Sequence, residues 1–70
     1  MENDWVKIYT TDQEYKSVIL REKLAEAGIE ANEVSKKGSE IDLFIGEIEI
    51  YVRANDVDKA TEIVKQHPEL

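Results

Sequence analysis

Apolar and polar positions alternate from the start of the chain: Val6, Ile8 and Thr10 interleave with Trp5, Lys7 and Tyr9. That period of two, with β-branched and aromatic residues, predicts a first strand. The period then changes. Ser17, Leu20, Leu24 and Ala27 fall on one helical stripe flanked by Val18 and Ile19, while Glu14, Lys16, Arg21, Glu22, Lys23 and Glu26 are left for water. Thr11 stands three residues before Glu14, the capping-box spacing of a helix start, and Gly28 supplies the residue favoured at a helix stop. A second strand is expected over residues 29 to 34, where alternation runs as far as Val34 and then slips phase, followed by a turn at Lys36-Lys37-Gly38-Ser39. The clearest alternation follows Gly46: Ile48, Ile50 and Val52 against Glu47, Glu49, Tyr51 and Arg53. A second helix is capped by Asn55, with Asp56 and Asp58 in its electropositive first turn and Val57, Ala60, Ile63 and Val64 as its apolar stripe. Pro68 closes it, because the residue before a proline avoids helical geometry.

The element order is therefore strand, helix, strand, strand, helix. A right-handed crossover makes the first two strands parallel with a gap between them, and the third strand fits that gap antiparallel to both. The result is an α+β fold, a split βαβ plait of ferredoxin-like type in βαββα order. It has a three-stranded sheet, two helices on one face, and no obvious fourth strand in the remaining His67-Pro68-Glu69-Leu70. Leu20, Leu24, Ile48, Ile50 and Val64 are the positions at which the helical and strand periods both point inward. Two surfaces are left over: the outer edge of the first strand and the helix-free face of the sheet.

With 70 residues the chain has room for one domain, residues 1 to 70, and at that size a single core supplies only about 3 to 5 kcal/mol. Nine Lys and Arg against 16 Asp and Glu give a net charge of −7, which argues against nucleic acid, whose binding rests on neutralising phosphates. There is no Cys and one His, so thiolate metal sites and disulfides are excluded and no metal or other cofactor is expected. No apolar run approaches the roughly 20 residues of a membrane span, and Met1-Glu2-Asn3-Asp4 is acidic where a secretory signal is basic. The expectation is a cytoplasmic domain that binds no membrane.

Taken together, Trp5-Val6-Lys7-Ile8-Tyr9-Thr10, Leu24 with Gly28-Ile29-Glu30-Ala31, Gly46-Glu47-Ile48-Glu49-Ile50-Tyr51-Val52, and the acidic helix start through Asp58 to Ala60 resemble a small bacterial family. It is a domain-of-unknown-function family described as putative prokaryotic signal-transducing proteins, and the resemblance spans nearly the whole chain. It implies a ferredoxin-like or PII-like fold and a regulatory role, and it brings no catalytic residues with it.

The residues themselves carry little chemistry. Glu47 and Glu49 share a strand face and could hold a proton or a divalent cation between them, but no third ligand stands at a defined spacing. Ser39 and His67 lack a nucleophile context, and Gly28, Gly38 and Gly46 are isolated rather than a phosphate-cradling loop. No enzymatic activity is expected. Simple alternation puts Trp5, Tyr9 and Tyr51 together on the helix-free face, an aromatic set that resembles an RNA-stacking platform but stands beside Glu47 and Glu49. Ile41-Asp42-Leu43-Phe44-Ile45 is the most apolar run, and it either begins the third strand, lies over the sheet, or docks on a partner. The sequence thus points to a non-enzymatic interaction or regulatory module with a protein partner, binding through Trp5, Tyr9, Tyr51, Leu43 and Phe44. A homodimer through the first strand's edge is one form of it. The alternative is a sensor of small metabolites, as in PII-like and amino-acid-sensing plaits.

Overall fold

Leu24 and Ile29 define the stop that fixes the first crossover. In the computed structural model, which describes residues 4–36 and 47–70, the helix α1 (Glu14–Glu26) ends in a Schellman motif. Gly28 takes a left-handed φ of 80°, its N–H donates to the Ala25 carbonyl, and the Ile29 N–H donates to the Leu24 carbonyl at 2.9 Å. Leu24 and Ile29 are both buried, the apolar clasp that accompanies this motif. Because Ile29 is used in the cap, strand β2 begins later than its alternation predicts and runs Ala31–Lys36.

Strand β1 (Trp5–Thr11) precedes α1, and strand β3 (Glu47–Arg53) lies between β1 and β2, antiparallel to both. A 3-10 turn (Ala54–Asp56) leads into helix α2 (Val57–Lys65). The βαββα order and the central antiparallel third strand agree with the expected ferredoxin-like plait. Leu20 and Leu24 of α1, Ile48, Ile50 and Val52 of β3, Ile29 and Ala60 form the buried core, with Val57, Ile63 and Val64 half-buried against it. Four of the five expected core residues are thus buried, and Val64 lies at the core's margin.

Both helix starts differ from expectation. Thr11 stays in the ladder opposite Ile48, so its hydroxyl cannot cap α1 and instead accepts the Gln13 N–H at 3.1 Å; Gln13 takes the cap position. The 3-10 turn shifts the start of α2 by one residue, so Asp56 rather than Asn55 stands at its cap position.

The larger departure is in β1. Its register with β3 is Trp5↔Arg53, Val6↔Val52 and Lys7↔Tyr51, then slips to Tyr9↔Ile50, Thr10↔Glu49 and Thr11↔Ile48. Between Lys7 and Tyr9 two residues oppose one, a β-bulge, and Ile8 and Tyr9 both pack against the core. Tyr9 is therefore on the helix side of the sheet, where simple alternation does not place it.

Candidate functional site

Directly paired residues of an antiparallel ladder share a face, so the register defines the helix-free surface row by row. Trp5 stands beside Arg53, Tyr51 lies between Lys7 and Asn32, and Glu49 lies between Thr10 and Val34. Two clusters organise it. At one end the Arg53 guanidinium lies 4.6 Å from the centroid of the Trp5 ring, a cation–π contact. Asp4 and Glu30 flank that guanidinium at 3.9 and 3.8 Å. Near the middle, the Tyr51 hydroxyl donates to the Glu49 carboxylate at 2.9 Å, and the Lys7 ammonium lies 3.5 Å from its other oxygen.

Glu49 is only 3% exposed although, among the described residues, no helix lies on its face of the sheet. A carboxylate at such a position must be paired and hydrogen-bonded, which Lys7 and Tyr51 accomplish. Glu47, two residues before it, is exposed. The two carboxylates that the alternation treats as a pair thus have different surroundings.

Of the five residues expected on the interaction surface, Trp5 and Tyr51 lie on the helix-free face. Tyr9 does not: the bulge turns it toward the helices, where its hydroxyl donates to the Leu70 carbonyl at 3.0 Å. Leu43 and Phe44, with the rest of the apolar run from Ile41 to Ile45, lie outside the described residues. The Trp5–Arg53 stack and the Glu49–Tyr51 bond are not legible in the alternation alone, although the i, i+2 spacing of Glu49 and Tyr51 does put both on one strand face.

On the helix side an open groove of about 290 Å³ is lined by Lys23, Glu26, Ala27, Ile63, Gln66 and His67. Beside it His67 Nδ1 lies 3.3 Å from the Glu69 carboxylate. The Glu69 carboxyl is held below the usual carboxylate range, first by its own backbone N–H and further by His67 and Lys23, with desolvation acting in the opposite direction. Among the described residues no group of three or more acidic, His or Cys side chains converges as a metal site, and no helix is long and apolar enough to cross a membrane.

No curated protein and no solved structure matches the chain significantly. Residues 5–67, from Trp5 on the helix-free face to His67 at the groove, match one family over nearly the full length, and the chain belongs to that domain-of-unknown-function family, described as "Putative prokaryotic signal transducing protein".

Proposed function

We propose that the chain is a non-enzymatic, cytoplasmic regulatory module that acts by binding another protein through the helix-free face of its sheet. The observation that supports this reading is the Trp5–Arg53 stack at one end of that face, with Lys7, Tyr51 and Glu49 fixed beside it. Trp, Tyr and Arg are the residue types that contribute most to protein interfaces, because they combine large apolar area with directed polar groups. The signal-transduction description of the family favours the same reading.

Affinity capture from a lysate of the parent organism tests it. A partner retained by the wild type and by Lys65→Ala, but lost on Arg53→Glu, is the expected result. A partner retained equally by all three moves the interface elsewhere.

The metabolite-sensor reading is supported by a different place, the groove between the ends of the two helices. Its volume lies near the lower end of ligand sites, roughly 300 Å³. Thermal-shift screening against nucleotides and amino acids separates the two readings. A metabolite that raises the melting temperature, with the rise removed by His67→Ala and not by Arg53→Glu, establishes the sensor by mass action.

A further inference from the structure

The sheet has two outer strands, and they differ in how well they resist pairing with another chain. β1 is broken by the bulge between Lys7 and Tyr9 and has a lysine opposite Tyr51. Bulges and edge lysines are devices by which exposed strands avoid pairing. β2 lacks the bulge: six successive residues, from Ala31↔Val52 to Lys36↔Glu47, pair with β3 in unbroken register. Among the described residues no strand lies outside it. Asn32, Val34 and Ser35 are exposed, Val34 to 42%. In a chain of net charge −7, the strand Ala31-Asn32-Glu33-Val34-Ser35-Lys36 is itself neutral, and its Glu33 is held at 2.9 Å by Arg21 of α1.

We propose that β2 pairs antiparallel with β2 of a second copy, centred on Val34, joining two three-stranded sheets into one continuous sheet. The occupant follows from register. Opposed residues of a continuous sheet face the same side, so a two-fold pairing must centre on a residue and not between residues. Centring on Glu33 sets two carboxylates against each other. Centring on Ser35 sets Val34 against Lys36, and centring nearer either end shortens the ladder. Centring on Val34 sets valine against valine, Glu33 against Ser35, and Asn32 against Lys36, so no like charges oppose each other and the exposed valine is covered. This inference does not rest on the open-face reading: a protein that self-associates through β2 and captures no partner keeps the one and loses the other.

The absence of Cys makes single-thiol variants unambiguous. Val34→Cys should form a disulfide-linked dimer on mild oxidation, because opposed strand residues have Cα atoms about 4.5 to 5.5 Å apart, inside the disulfide range. Tyr15→Cys, at an exposed position on α1 away from β2, should form no disulfide-linked dimer under the same oxidation. In sedimentation equilibrium at about 0.15 M salt, where the Debye length is near 8 Å, the wild type should approach twice the mass of one chain as concentration rises. Val34→Lys and Val34→Glu should each remain monomeric, and an equimolar mixture of them should regain the dimer. Should either variant fail to fold by circular dichroism, the cysteine pair decides alone. A wild type that is monomeric at every concentration, a dimer that survives Val34→Lys, or equal crosslinking of both cysteine variants overturns the proposal.

Discussion

The Tyr9 hydroxyl donates a hydrogen bond to the Leu70 carbonyl oxygen at 3.0 Å, joining the first strand to a residue 61 positions later. The contact exists because the bulge after Lys7 turns the ring to the helix side opposite Ile50. Lys16 donates to the same oxygen at 3.3 Å, and Leu70 packs against the core. An aromatic residue that alternation assigns to a binding surface is thus a clamp on the residues after α2.

Tyr9→Phe should keep the ring's packing and remove that one hydrogen bond. The expected cost is about 1 kcal/mol, the usual net value for a single hydrogen bond. The Leu70 amide, which donates to the His67 carbonyl at 2.9 Å, should then exchange faster with solvent while core amides slow or quicken only with global stability. Unchanged Leu70 exchange in Tyr9→Phe means that Lys16 and packing hold this segment without the phenol.

Truncation of the core should be decisive in so small a domain. Leu24 and Ile50 are fully buried, and Leu24→Ala or Ile50→Ala should each cost about 2 to 5 kcal/mol, comparable to the roughly 3 to 5 kcal/mol that one core of this size supplies. Val64 is half-buried, so Val64→Ala should cost only about 1 kcal/mol and leave a cooperative urea transition. The ranking is checked by denaturation midpoints and by loss of near-ultraviolet dichroism.

The residues that were legible in the sequence are those whose local preference and tertiary role coincide. Ile48, Ile50 and Val52 lie in a central strand with no bulge against β2, so alternation reported burial correctly. Gly28 was legible because few residues other than glycine accept a φ of 80°. β1 obeys the same alternation only up to Lys7, and a bulge leaves no mark in a run of β-branched and aromatic residues. β2 was obscured for another reason: its helix side holds Ala31, Glu33 and Ser35, with Glu33 tolerated there by Arg21, so polarity does not report the buried face. The candidate site inherited these errors, since Tyr9 was placed by a phase that the bulge interrupts. Alternation places Arg53 on the helix-free face, but its stacking on Trp5 depends on strand pairing across the whole chain.

Gly28→Ala isolates a backbone effect. An added Cβ at this position meets nothing within 4 Å, so the cost is confined to forcing a left-handed φ on an L-residue, about 1 to 2 kcal/mol. Gly28→Asn should cost less, as asparagine tolerates that region. Urea midpoints should fall in the order glycine, asparagine, alanine, with the slope of the transition unchanged.

Glu69 offers a titration test of the helix-side tail. Its folded pKa is lowered, chiefly by its own backbone N–H, so whatever it contributes to stability is present above the unfolded carboxylate value of roughly 4 and is lost as pH falls through the lower folded value. In carboxyl-carbon NMR the Glu69 midpoint should lie below the usual carboxylate range. His67→Ala should raise it part of the way back, because the imidazole contact goes and the backbone bond stays. A midpoint indifferent to His67→Ala would assign the lowering to the backbone alone.

Glu47→Gln and Glu49→Gln test whether two carboxylates on one strand face are equivalent. Glu47 is exposed, and its substitution should change stability by no more than about 0.5 kcal/mol. Glu49 is buried between the Tyr51 hydroxyl at 2.9 Å and the Lys7 ammonium at 3.5 Å. Glutamine keeps an acceptor for the phenol but removes the charge that faces Lys7, so Glu49→Gln should cost about 1 to 2 kcal/mol. Glu49→Ala removes both functions and some packing, and should cost more. A double-mutant cycle of Glu49→Ala with Tyr51→Phe measures their bond directly, with an expected coupling of about 1.5 to 3 kcal/mol for a bond to a charged acceptor. The same cycle bears on the binding proposal, because it reports whether the Tyr51 ring is held in place before any partner arrives. A coupling near zero together with a neutral Glu49→Gln would mean that this carboxylate does not order the helix-free face, leaving the Trp5–Arg53 stack as its organised element.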